Sequence, residues 1–147
     1  MHCPEFTVIN YSAYDSSMNV YKKNFRGERL VSAYEFELYT DDCAGGIAIN
    51  GMRYNAQKGC FSLTKPGQRQ KMILPYKCYF FNIYTQDESL CDILDNLPEF
   101  GMLWGMDEAV NIFHEMLSAG PTALPENRML IQGCVCRLLS LTRAMMP

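Results

Sequence analysis

Between Gly46 and Tyr84 apolar and polar residues alternate in short runs, each closed by a turn signal: Asn50-Gly51, Lys58-Gly59, Lys65-Pro66-Gly67 and Pro75. Alternation with a period of two sends successive side chains to opposite faces of a strand. The pattern predicts strands over 47–50, 52–56, 60–64, 70–74 and 77–84. Asn-Gly supplies the two positive-φ residues of a tight type I′ hairpin, so the first two of these strands pair directly. Upstream, 6–11 and 29–39 also read as strands. In the second, Tyr34, Phe36 and Leu38 alternate with Ala33, Glu35, Glu37 and Tyr39, which predicts one face on the core and the other in water. The count of about seven strands has the rhythm of a small antiparallel barrel.

The period changes near Thr85. Thr85-Gln-Asp-Glu88 fits a capping box, and Leu90, Ile93, Leu94 and Leu97 follow at helical spacing up to Pro98. Asp107 and Glu108 suit the positive end of a second helix, whose stripe of Ala109, Val110, Phe113, Met116 and Leu117 ends at Gly120-Pro121. Pro125-Glu126 opens a third helix running toward Met145. Its stripe is Ile131, Cys134, Val135, Leu138, Leu141 and Met145, while Leu130 and Leu139 add apolar surface that is either covered within the chain or offered to a partner. The chain therefore divides into a β-barrel region, residues 1–84, and a helical segment, residues 85–147, within one compact unit.

Charge narrows the partners. The 147 residues carry 13 Lys and Arg against 16 Asp and Glu, a net charge of −3, which creates no field drawing the chain to a phosphate backbone. Seven cysteines, odd in number and scattered, predict reduced thiols in a cytoplasmic protein rather than a secreted disulfide framework. No basic and then apolar leader opens the sequence, and no apolar run approaches the roughly 18 residues of a membrane span, so no membrane partner is expected.

Catalytic chemistry finds few residues to carry it. A barrel metal needs three or four converging His or carboxylate ligands, and the histidines are His2, near the terminus, and His114, in a predicted helix. No metal, cofactor or catalytic residue is assigned. Cys134 and Cys136 point about 160° apart on a helix of 3.6 residues per turn and cannot share a ligand. Cys60, Cys78 and Cys91 have no strand-borne histidine as base. Asp41-Asp42 and Glu35/Glu37 read as solvated acids. What remains is aromatic: Tyr34, Phe36, Tyr54, Phe61, Tyr79 and Phe81 lie on predicted strands. They either line a pocket, joined by Arg53, Arg69 and Gln70, or fill a small barrel solidly. The ligand-binding candidates are Tyr34, Phe36, Arg53, Tyr54, Gln70, Tyr79 and Phe81.

In order and spacing, Tyr34-Glu-Phe-Glu-Leu-Tyr39, Asn50-Gly51, Tyr54, Gly59, Pro66-Gly67 and Leu74-Pro-Tyr-Lys-Cys-Tyr79 resemble the N-terminal sensory domain of AraC-type transcriptional regulators. The likeness covers about residues 29–98. It implies a mainly β fold, a cupin-like antiparallel barrel (double-stranded β-helix) followed by about three α-helices. It further implies a small-molecule effector, a sugar or other metabolite, and a homodimer formed through the helices. Carried onto this chain, the dimer contacts fall on Leu130, Ile131, Cys134, Leu138 and Leu141. Many cupins place a histidine after the Pro-Gly turn; this chain has Gln70, so the resemblance implies a metal-free barrel. Family members contact DNA through two helix-turn-helix units that follow the helices, and this sequence stops where the linker to them would begin. The expectation is the sensor domain of a longer bacterial regulator or a shortened relative, with DNA reached only through a domain absent here. A stand-alone cupin enzyme, isomerase or dioxygenase in type, and an interaction module with a solid barrel are the competing readings.

Overall fold

The computed structural model describes residues 4–18 and 27–144; His2, Cys3 and Met145 lie outside them. In chain order the strands are β1 (Thr7–Asp15), β2 (Arg29–Leu30), β3 (Tyr34–Tyr39), β4 (Gly46–Ile49), β5 (Met52–Asn55), β6 (Cys60–Thr64), β7 (Arg69–Ile73), β8 (Lys77–Tyr84) and β9 (Phe100–Met102). The helices are α1 (Glu88–Asp95), α2 (Met106–Ser118) and α3 (Pro125–Ala144). A single 3-10 turn, Ser16–Met18, follows β1.

All strand pairings among the described residues are antiparallel, and they form two sheets, β1-β8-β3-β6-β9 and β2-β7-β4-β5. The ladders close no barrel. The expected strand over 29–39 shows how the two sheets separate: the chain leaves the four-stranded sheet after Leu30 and joins the five-stranded one at Tyr34. At the crossing the Val31 N–H donates to the Gln68 carbonyl at 2.9 Å, and the Val31 carbonyl accepts from Gly67 N–H at 2.9 Å. The backbone is thus satisfied while it changes sheets, as buried polar groups require.

Turn chemistry acts as the sequence predicts. Asn50 and Gly51 take φ of 49° and 83°, and Ile49 faces Met52 across the two-residue loop, the geometry of a type I′ hairpin. A Cβ on Gly45 would lie 1.9 Å from the Ile73 carbonyl oxygen, so only glycine allows the chain to enter β4 this close to the end of β7.

The five-stranded sheet has a covered layer on each side. On one, Tyr34, Phe36, Leu38, Phe61, Leu63, Phe81 and Ile83 pack against Leu94 of α1, Ala109, Ile112, Phe113 and Met116 of α2, and Ile131, Cys134, Val135 and Leu138 of α3. The Phe36 ring stacks on Phe81, Phe61 and Phe113 at centroid distances of 4.9, 5.6 and 6.5 Å. Each such side chain contributes about 1.5–3 kcal/mol by leaving water. On the other side Tyr39, Cys60 and Cys78 meet Ile47, Ile49, Ala56 and Tyr76 beneath the four-stranded sheet.

This arrangement corrects the expectation for β3. The face bearing Glu35, Glu37 and Tyr39 looks into the space between the sheets rather than into bulk water. The helices take the apolar face, so the polar face is the one left for the second sheet to cover. The cap of α1 is corrected as well: Asp87 accepts from Leu90 N–H at 3.2 Å. Thr85 Oγ1 instead donates to the Glu5 carbonyl at 2.6 Å and accepts from Asp87 N–H at 3.0 Å, tying the N-terminal stretch to the helix start. No helix among the described residues is long and apolar enough to cross a membrane.

Candidate functional site

Alternation along β1, β3 and β8 sends Asn10, Tyr14, Glu35, Glu37, Phe80 and Asn82 from the five-stranded sheet toward the four-stranded one, which answers with Arg29, Gln70 and Met72. Together they wall a cavity of about 200 Å³ between the sheets. A larger depression of about 510 Å³ runs along Ala13–Asp15 and Lys77–Tyr79 at the end of the β1–β8 pair, but it lies open to solvent and gathers few convergent polar groups.

Hydrogen bonds across the cavity stitch the two sheets together. Arg29 grips both carboxylate oxygens of Glu35, with Nη1 to Oε2 at 3.0 Å, and donates from Nη2 to Gln70 Oε1 at 2.7 Å. Gln70, only 3% exposed, turns its amide nitrogen to Thr64 Oγ1 at 2.9 Å. The ion pair raises the Arg29 pKa further, against the opposing effect of burial. Such a two-pronged guanidinium–carboxylate contact fixes direction as well as charge.

Glu37 is held differently. Its Oε1 accepts from the Tyr39 hydroxyl at 3.0 Å and its Oε2 from the Cys78 thiol at 3.6 Å. Tyr39 in turn shares a hydrogen bond of 3.0 Å with Ser62. No cation stands within ion-pair distance of Glu37 among the described residues; Arg29 acts on it only at longer range. Protein surrounds the carboxyl, whose remaining accessible surface faces the cavity, and this burial raises its pKa above the ordinary carboxylate value. Burial, with the Glu37 charge next in weight, lifts the Tyr39 hydroxyl and the Cys78 thiol well above their ordinary values, so both stay protonated and available as donors. Tyr76 stacks edge-on to Tyr39 at 5.9 Å and lies 5.1 Å from Tyr14; its hydroxyl is fully buried and has no hydrogen-bond partner among the described residues.

Of the ligand-binding candidates, Gln70 lines this cavity. Tyr54 faces the same inter-sheet layer, where it stacks on Phe100 at 4.8 Å. Its hydroxyl donates to Glu99 Oε2 at 2.6 Å, which pushes its pKa up to about 12. Tyr34, Phe36, Phe81 and Tyr79 lie on the opposite face, packed with the helices; Tyr34 donates to Asp95 at 2.8 Å and Tyr79 bonds His114 at 2.9 Å. Arg53 is exposed and donates to the Ala44 carbonyl at 3.1 Å. The structure therefore does not gather these seven residues into one site. Glu35 and Glu37, read from sequence as solvated acids, line the cavity with Arg29 and Asn82, and none of the four was among the candidates. The available signal was the period itself: whatever faces away from Phe36 must face the second sheet once helices cover Phe36.

The residues assigned to a dimer separate in the same way. Ile131, Cys134 and Leu138 are buried against the chain's own core and Leu141 packs on it, while Leu130 is 48% exposed. Among the described residues no three or more His, Cys, Asp or Glu side chains are grouped so as to hold a metal ion. Comparison with protein-family models and with curated proteins finds no match to this chain.

Proposed function

We propose that this chain is a small-molecule-sensing domain, with its ligand seated between the two sheets, of the kind that precedes the DNA-binding unit in AraC-type bacterial regulators. The lining of the inter-sheet cavity carries the reading. Two sheets packed for stability alone need only interdigitated apolar side chains. Here the shared space holds a guanidinium, two carboxylates and three amide side chains, beside Tyr14, Met72 and Phe80. The side-chain amides of Asn10 and Asn82 make no hydrogen bond among the described residues and remain available to a ligand. A few convergent polar groups in an apolar hollow are the ordinary composition of a small-molecule site.

A ligand in this position touches both sheets at once, so it acts on their separation to the extent that it binds one spacing better than another. The cupin-like relationship and the cytoplasmic regulatory setting belong to the same proposal and rest on the resemblance between residues 29 and 98. Homodimerisation also belongs to it, through Leu124, Met129 and Leu130, which are exposed at the start of α3. DNA contact is assigned to a separate domain, in keeping with the net charge of −3.

The test is a thermal-shift screen of the whole chain against sugars, polyols, amines, amino acids and carboxylic acids, followed by calorimetric titration of any compound that raises the melting temperature. Ligand at a hundred times its Kd stabilises by about 2.7 kcal/mol, a readily measured shift. Asn82→Leu, which places an apolar group in the cavity wall, is expected to abolish binding. A screen with no hit, or a hit that Asn82→Leu leaves untouched, sinks the assignment of this cavity. Sedimentation velocity at rising concentration tests the dimer, and a monomer throughout removes that part of the proposal.

A further inference from the structure

We infer that the ligand of the inter-sheet cavity is a small organic cation, an ammonium or amidinium group on an apolar body, with its charge against Glu37. The inference rests on the sensing reading above and narrows it to one chemical class.

The cavity lining holds one guanidinium against two carboxylates, and the guanidinium is already committed to Glu35 and Gln70. An anionic ligand would have to compete with Glu35 for Arg29, whose side chain is half exposed, and would lie beside two carboxylates that repel it. A neutral polyol could satisfy Asn10 and Asn82, but it would leave Glu37 without a countercharge. A cation supplies it. The groups facing Glu37 are Tyr39 on its own strand, Cys78 on β8, Tyr76 before β8, Tyr14 on β1, Glu35 beside it and Arg29 across the gap. Tyr39 and Cys78 hold the carboxylate by donation, which orients it without neutralising it.

Tyr14, Phe80 and Met72 supply the rest of the recognition. Aromatic rings and a thioether form an apolar, polarisable wall, and aromatic surfaces tolerate a neighbouring cation far better than an aliphatic wall does. A volume of about 200 Å³ lies below the roughly 300 Å³ at which ordinary ligand pockets begin, which limits the ligand to a small one.

Three probes of nearly one shape decide the class: benzylammonium, benzyl alcohol and benzoate, titrated calorimetrically into the full chain at neutral pH. Benzylammonium is expected to bind about tenfold tighter than the alcohol, and benzoate more weakly than either. In Glu37→Gln the ammonium is expected to lose that advantage while the alcohol binds as before. Alcohol or benzoate binding as tightly as the ammonium, or an ammonium preference that survives Glu37→Gln, overturns the inference. If the ammonium fails and a sugar, polyol or acid from the wider screen binds in an Asn82-dependent way, the cationic class is wrong and the sensing reading stands. If no compound binds at all, both fall.

Discussion

The two layers that flank the five-stranded sheet are built from the same three strands and differ in kind. Phe36, Phe61, Leu63 and Phe81 look toward the helices and meet only apolar partners, with three rings stacked on Phe36. One residue away on those strands, Glu37, Ser62, Thr64 and Asn82 look the other way into a space stitched by hydrogen bonds. The helix-side layer supplies most of the apolar burial that stabilises the chain. With that in place, the inter-sheet layer is free to keep the Glu37 carboxyl, largely enclosed by protein, and the buried Tyr76 hydroxyl, which has no hydrogen-bond partner among the described residues, although both cost stability.

The comparison breaks first at Phe36. Phe36→Ala is expected to lose about 3–5 kcal/mol in denaturant unfolding, because the site is enclosed by aromatic rings that cannot collapse onto an alanine. A loss below 1 kcal/mol on this scale would mean the helix-side layer is not the main core.

Thr64→Val is the next largest. It keeps shape but leaves the nearly buried Gln70 amide without its acceptor, an expected loss of about 1–3 kcal/mol, smaller than at Phe36 although both sites are fully covered. A neutral result would show that water or another group takes over and that the stitch between sheets is slack.

Tyr76→Phe runs in the opposite sense. Removing a buried hydroxyl that has no partner among the described residues is expected to raise stability by about 1 kcal/mol, since the desolvation of that group is then avoided. A clear loss in thermal unfolding would show that the hydroxyl does have a partner in solution.

Glu37→Gln has the smallest effect at any one pH and the most telling dependence on it. Burial raises the folded-state pKa of Glu37 above its unfolded value, so the folded chain holds this proton to higher pH than the unfolded one does. Its contribution to stability is therefore fully present below the ordinary carboxylate value and declines as pH rises from there to the raised folded value. The variant is expected to lack that decline and to match or exceed the native chain at neutral pH by about 1 kcal/mol or less. Parallel stability–pH curves for the two proteins would show that Glu37 is not buried in solution.

Local chemistry in the sequence determined the strand and helix periods, the Asn50-Gly51 hairpin and the start of α3 at Pro125, because each depends on residues close together in the chain, whereas β9 returns to pair with β6 from within the segment that the sequence reads as wholly helical. Tertiary structure decided what no local pattern contains. The crossing at Val31–Ala33 cut one apparent strand into two and put its halves in different sheets. Helices from the last third of the chain claimed the apolar face of β3, and the face with Glu35 and Glu37 thereby became the wall of a cavity. Period two states that Phe36 and Glu37 point to opposite sides; which side meets water depends on elements packed from far along the chain. For the same reason the sequence left open which of the strand aromatics share a face, and the cavity lies on the reverse of the face that carries Tyr34, Phe36, Tyr79 and Phe81.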